Sequence, residues 1–553
     1  MKKNILLLLS VLLFSGLFAQ TAPDKYWVQF TDKNDSPYSL TNPIEFLSQK
    51  AIDRRTAQNI SISEQDIPVN QSYIDIVLAL GDIDVLMRSK WFNSITIHTT
   101  DTNLVNQIEE LSIVSQVKSL DIYKKAKYEL EDESPSLEKE FDPLDYGTSY
   151  DQLEELNGEA LHSNDFLGED MLIFVCDGGF TNLDNVDAFD HLFTDDRIVG
   201  TRDFVDGDDF VFHGSSHGTS VMGTMAGIIP GELKGTAPDA SYYLARTEDV
   251  GSEYEIEEDN WIAAAELADS IGADVITTSL SYTTFDDPTQ NHTYEDLDGQ
   301  TTRIAIGAGI AAQKGMLIVV SAGNYFLQPW HYIGSPADAI GILAIGAMTS
   351  DSSHSSFSSA GPSADGRVKP EIVARGTAAA TVNTGNAGVS YVNGTSFSGP
   401  IIAGISTCLW QAYPSATSIE IREAIIQSAH QYDNPDDLFG YGIPNYGDAM
   451  TYLENTLGIP PMKKPLVSII QRVFPNPFED NITIELRAPQ GGYDKGMMTL
   501  YNASGFKVYE SQIILEGKML QTVHITSASL ASGVYYFEYI GQNTKETIKL
   551  VHL

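Results

Sequence analysis

MLIFVCDGG (171–179) is an apolar run that does not alternate and that stops on an acid, Asp177. A strand with one wet face alternates apolar and polar residues, whereas a run apolar throughout belongs to a strand covered on both faces, the habit of parallel sheets. Two further runs behave alike, ADVITTSLS (273–281) and GMLIVVSAGN (315–324). Helix-like segments flank them at Asp259–Ile271 and Ile304–Lys314. Strands of this kind alternating with helices predict an α/β fold with a doubly wound parallel sheet over residues 146–457. Ligands in such sheets bind off the carboxyl ends of the strands, and Asp177 and Asn324 both stand where their apolar run ends.

Two more motifs complete a set. HGSSHGTSVMG (213–223) supplies histidines, and NGTSFSGP (393–400) supplies Ser396 ahead of an apolar, helix-like stretch. A serine hydroxyl is a weak nucleophile and needs an adjacent histidine to take its proton. That histidine in turn needs a carboxylate to hold its tautomer and stabilise the imidazolium. The oxyanion that forms needs donors already in place, which an asparagine amide and a backbone N–H can supply. Gly394 permits a tight turn, and at a helix start the Ser396 N–H is free to act as such a donor. His217, followed by Gly-Thr, is the expected base. His213 lies four residues earlier, and on a helix the two could form a metal pair, but no third ligand sits at metal spacing. Asp184 and Asp187 are rival carboxylates to Asp177. An esterase or a peptide ligase would use the same parts.

The order Asp177, His217, Ser396 is that of subtilisin rather than of chymotrypsin or the α/β-hydrolases. With GTAPDASYYLAR (235–246), SSFSSAGP (355–362), KPEIVARG (369–376) and GYG (440–442), the chain resembles the subtilases. The resemblance implies a subtilisin-like fold and a serine endopeptidase acting on polypeptides with no cofactor required for catalysis. It implies Asp177, His217 and Ser396 as the triad and Asn324 as the oxyanion donor. It also implies that Ser279, Leu280 and Ser281 lie along bound substrate beside the primary pocket, with Tyr325 as a further lining residue. Two positions depart from the family pattern. Gly178 stands where a threonine or serine is usual, removing one support for the carboxylate, and Ser281 stands where glycine is usual, narrowing the pocket.

Residues 1–19 read as a signal peptide, with Lys2 and Lys3, an apolar run from Ile5 to Phe14, and Gly16 and Ala19 before Gln20. Residues 20–128 read as a small α/β domain, with strands in KYWVQF and SITIHT and helical pieces at Pro43–Arg55 and Leu104–Ser115. The acidic stretch 129–145 reads as an exposed linker. A small module joined to a peptidase by a cuttable linker resembles a subtilase propeptide, which implies that the chain is made as a precursor with its own inhibitor and chaperone. After a proline-rich linker at 458–465, residues 466–553 alternate through short strands and predict a β-sandwich. VFPNPFEDNITI (473–484) and LYNASGFKVYE (500–510) resemble the C-terminal sorting domain of Bacteroidetes type IX secretion. That implies the type IX machinery as a partner and a secreted or surface-attached product. The formal charge of −42 argues against nucleic acid as a partner. The run DFVDGDD (203–209) is a candidate structural calcium site. Cys176 and Cys408, both in apolar surroundings, read as buried free thiols.

Overall fold

The computed structural model describes residues 24–120, 146–385, 388–462, 469–478, 481–487, 493–516, 521–526, 530–541 and 545–553. The expected signal peptide, the linker at 129–145 and residues 463–465 of the second linker lie outside these.

The N-terminal unit folds as β1 (Lys25–Phe30), α1 (Gln49–Ala57), α2 (Gln71–Leu78), β2 (Asp84–Ser89), β3 (Ser94–His98), α3 (Thr102–Glu109) and β4 (Val114–Ser119). Its sheet has the order β2-β3-β1-β4. The helix expected at Leu104–Ser115 ends at Glu109, and Val114 begins a strand instead. Leu104, Val105 and Ile108 give the helix its buried face, after which the chain turns so that β4 can pair antiparallel with β1.

The central unit carries β5 (Leu172–Asp177), β6 (Ile198–Asp203), α4 (His217–Met225), β7 (Ser241–Arg246), α5 (Ile256–Ile271), β8 (Val275–Thr278), α6 (Arg303–Gln313), β9 (Leu317–Ser321), β10 (Leu343–Met348), β11 (Ile372–Arg375) and α7 (Thr395–Ala412). Seven strands make one parallel sheet in the order β11-β10-β9-β8-β5-β7-β6. The unbroken apolar runs follow from its two covered faces. Ile173, Val175, Val275 and Val319 pack on the side of α7, against residues such as Ile401 and Ile405. Phe174, Cys176, Ile276 and Ile318 pack on the other side, with Trp261 of α5 and Ile304 of α6. Full burial of each such side chain contributes about 1.5–3 kcal/mol, which makes this sheet the rigid frame of the molecule. Both cysteines are buried thiols outside any disulfide.

Chain progression reverses between β5 and β8. From β5 the chain runs outward to β6 and returns through β7, and from β8 it runs the other way through β9, β10 and β11. A crevice opens above the carboxyl ends at such a reversal.

The N-terminal unit sits on α5 through buried charges. Asp269, which is fully buried, receives Arg54 Nη2 at 2.6 Å, Arg55 Nη2 at 2.7 Å and Lys90 Nζ at 3.2 Å. Glu266, one turn earlier, accepts from Ser89 Oγ at 2.6 Å and from the Lys90 and Trp91 N–H groups at 2.7 and 3.0 Å. Burial pushes the Asp269 carboxyl up, but the three cations outweigh it and hold the group below its ordinary value.

Among its described residues the C-terminal unit has the strands β12 (Ile470–Phe474), β13 (Asn481–Leu486), β14 (Tyr493–Asn502), β15 (Lys507–Glu516), β16 (Gln521–Thr526), β17 (Gly533–Ile540) and β18 (Lys545–His552). They form sheets ordered β12-β13-β16 and β15-β14-β17-β18 around a core that includes Ile482, Ile484, Leu500 and Phe537. Alternating strands in two facing sheets make this the expected sandwich.

Candidate active site

Four sequence-predicted residues meet at one cleft of about 500 Å³ above the strand ends. Asp177 is the last residue of β5 and is 1% exposed. His217 opens α4, and its Nδ1 lies 3.0 Å from both carboxylate oxygens of Asp177. The Gly178 N–H donates to Asp177 Oδ1 at 2.8 Å, so the backbone supports the carboxylate even though position 178 has no hydroxyl. A Cβ there would stand 2.8 Å from Val250 Cγ1, so the neighbouring chain already fills the side-chain space. Burial pulls the His217 imidazolium pKa down. The Asp177 charge, its hydrogen bond and the charge of Glu248 together overcome that and leave it raised.

Ser396 is the second residue of α7, 8% exposed, on the same cleft. Gly394 before it has φ 146° and ψ 151°, a region that favours glycine, and from there the chain turns straight into the helix. Pro400 lacks an N–H, so the Ser396 carbonyl has no i+4 donor within the helix. The Ser279 hydroxyl supplies one at 2.9 Å. The Ser321 hydroxyl donates to the Thr395 carbonyl at 2.8 Å. Residues just past β8 and at the end of β9 therefore clamp the first turn of α7, leaving the Ser396 N–H among those without an intrahelical acceptor.

Asn324 follows β9 and is exposed at the cleft. Its Oδ1 accepts from the Thr395 N–H at 2.9 Å and from Thr395 Oγ1 at 3.1 Å. The backbone donor fixes the amide orientation, so Nδ2, with its two N–H groups, takes the other direction.

Ser279, Leu280, Ser281 and Tyr325 all line the same cleft. Tyr325 reaches across it, its hydroxyl donating to the Ser281 carbonyl at 2.7 Å. His213 stands apart from the cleft. Its Nε2 lies 3.1 Å from Asp203 Oδ2, and with Asp206 these residues bring ligand atoms within 4.8 Å of one another. Arg246 Nη1 lies 2.8 Å from Asp203 and 2.7 Å from Asp206, so those two carboxylates of the run 203–209 share one guanidinium. Sequence reasoning did not single out Glu248 and Glu253, which also line the cleft. The run EDVGSEYEIEED (248–259) carried the signal, but it has the composition of a solvated acidic surface.

A serine at a helix start, a histidine held by a buried carboxylate and a free amide on one crevice define a site for acyl transfer. Comparison with known proteins agrees. Residues 91–442 match the subtilase family, peptidase S8, and the chain belongs to that family. Residues 25–134 match the peptidase S8 propeptide domain of Bacteroidota, and residues 472–552 match the secretion system C-terminal sorting domain. The thermostable alkaline protease of Halalkalibacterium halodurans is 27% identical over 53% of this chain and 71% of its own length. Subtilisin DY of Bacillus licheniformis is 29% identical over 45% of this chain and 82% of its own. Among solved structures, MycP1 of Mycobacterium smegmatis aligns at a TM-score of 0.44 and 20% identity, covering 57% of this chain and 87% of that one. The chain is a serine endopeptidase made as a precursor, and its sorting domain marks it for secretion. Catalysis in this family needs no cofactor.

Proposed function

We propose that Ser396 Oγ attacks the carbonyl carbon of a peptide bond while His217 Nε2 takes its proton. Asp177 holds the Nδ1–H and stabilises the imidazolium that forms. The oxyanion is bound by Asn324 Nδ2 and the Ser396 N–H. On collapse, His217 returns the proton to the departing amine and an acyl-enzyme remains on Ser396. Water, deprotonated by the same histidine, then releases the acid and restores the serine. The observation that carries this reading is the His217 Nδ1 contact to both Asp177 oxygens at 3.0 Å, on the cleft that Ser396 shares.

Substrate lies extended along 279–281, an edge of backbone suited to strand addition. Tyr325 and Ser281 shorten the primary pocket and favour a small side chain there. The N-terminal domain, docked on α5, is the chaperone and inhibitor of the precursor, removed by cutting within 129–145. The C-terminal sandwich is what the type IX secretion machinery recognises, and it is removed near 458–465. Peptidase activity belongs to 146–457, and the run 203–209 is held by ion pairs with Arg246.

A fluorophosphonate probe applied to the processed protein tests the assignment. Label is expected on Ser396, and Ser396→Ala is expected to abolish both labelling and casein cleavage. Labelling at another residue, or a fully active Ser396→Ala protein, would refute it.

A further inference from the structure

The two donors assigned to the oxyanion act together only at a fixed separation, and they come from different elements. Asn324 follows β9, whereas the Ser396 N–H belongs to the first turn of α7. Thr395, fully buried, has each of its polar groups held by the stretch from Ser321 to Asn324. Its N–H donates to Asn324 Oδ1 at 2.9 Å. Its hydroxyl donates to the same oxygen at 3.1 Å and accepts from the Gly323 N–H at 3.2 Å. Its carbonyl accepts from Ser321 Oγ at 2.8 Å. That last contact differs from the rest. The Thr395 carbonyl and the Ser396 N–H are the two ends of one planar peptide group, so whatever fixes the first aims the second. At a helix start the carbonyl points along the axis into the helix, and the N–H points back out of it.

Ser321 is placed to do this from a rigid base. It is the last residue of β9, 2% exposed, and pairs in register with Ile345 of β10. Gly399, one turn into α7, lets the helix come close, since a Cβ there would stand 3.0 Å from Ser321 Oγ. Ser398 Oγ also donates to the Thr395 carbonyl, at 3.1 Å, but it lies in the same helix turn and moves with it. Among the described residues, Ser321 is therefore the side chain that ties this carbonyl to the sheet. Donation to the carbonyl also polarises the peptide, which strengthens its N–H as a donor.

We infer that Ser321 is a positioning residue of the oxyanion hole, its hydroxyl holding the 395–396 peptide so that the Ser396 N–H meets the oxyanion alongside Asn324 Nδ2. This rests on the acyl-transfer reading above and adds a residue to it. Ser321 acts through the peptide it holds, not on the reacting atoms.

The test uses the full chain, expressed as precursor, allowed to mature, and counted by fluorophosphonate titration. Ser321→Ala is expected to lower kcat on a chromogenic peptide by about tenfold, with KM almost unchanged. A peptide aldehyde reports on the hole directly, because Ser396 Oγ adds across its C=O to give a hemiacetal whose oxygen sits there. It should bind the variant about tenfold more weakly. The matching peptide alcohol forms no adduct and should bind as before. A merely structural loss would weaken both ligands or neither. Ser398→Ala removes a bond to the same carbonyl without untying the helix from the sheet, and should cost less than Ser321→Ala. A kcat loss for Ser321→Ala under about twofold, or one lying wholly in KM, would overturn the inference. So would equal weakening of aldehyde and alcohol, or a Ser398→Ala loss as large as that of Ser321→Ala. Asn324→Ala in the same assays separates the two readings. If it leaves kcat and aldehyde affinity unchanged, the oxyanion assignment falls and this inference with it. If it lowers both while Ser321→Ala does not, only this inference falls.

Discussion

Replacing Asn324 by alanine separates the two jobs of its amide. Oδ1 ties the side chain to the Thr395 N–H and hydroxyl, at 2.9 and 3.1 Å, and the Nδ2 donor is assigned to the oxyanion. Because Asn324 is exposed, water can take over the Thr395 N–H, and the structural loss is about 1 kcal/mol or less. The catalytic loss is larger. A donor that meets charge only in the tetrahedral state contributes about 2.7–4 kcal/mol, so kcat should fall by about 10²–10³. KM should barely move, since the ground-state carbonyl makes little use of that donor. Asn324→Asp is the sharper partner, because it keeps an acceptor for Thr395 while setting a negative charge against the oxyanion. It should be at least as damaging as alanine. Steady-state kinetics on a chromogenic peptide, with active enzyme counted by titration, reads both. A kcat loss below tenfold for alanine, a loss lying wholly in KM, or an aspartate variant near wild-type rate would refute the assignment.

His217 must be neutral to accept the serine proton. Its pKa is raised above the ordinary value of about 6.5, so activity should fall on acidification through a pH above that value. Glu248→Gln removes one of the charges that raise it, and the acid limb of kcat/KM should move to lower pH; a limb that stays or rises refutes the cause. Asp269→Ala strands Arg54, Arg55 and Lys90 without their shared carboxylate, a loss of about 3–5 kcal/mol for a broken buried ion network. Amides of α1 in the precursor should then exchange faster, and unchanged protection would count against the docking described here. Tyr325→Ala removes the side chain that crosses the cleft to Ser281 and should shift the preference before the cut bond from small to large apolar residues, measured with a peptide library.

Much of the fold was readable in the chain because parallel strands covered on both faces leave unbroken apolar runs, as in Leu172–Cys176 and Leu317–Val320. The helix expected at Leu104–Ser115 overran for a related reason. The spacing of Leu104, Val105 and Ile108 suits a helix, but Val114 and Val117 also pack on that domain's core from a strand. Local pattern does not say where the chain turns to find a partner.

The sequence by itself determined the sheet, the reaction class and the candidates Asp177, His217, Asn324 and Ser396, because each lies in a short motif whose chemistry is local. Only the tertiary structure decided what surrounds them. It brought Ser279 to the Ser396 carbonyl that Pro400 leaves without a donor. It brought Arg246 and His213 to the acidic run at Asp203 and Asp206. It placed Asp269 against cations from another domain, and put Glu248 and Glu253 on the cleft beside His217. The physical reason is the same throughout. A side chain's role in charge and hydrogen bonding depends on which partner reaches it and on how much water remains, and in these cases folding brought that partner from a distant part of the chain.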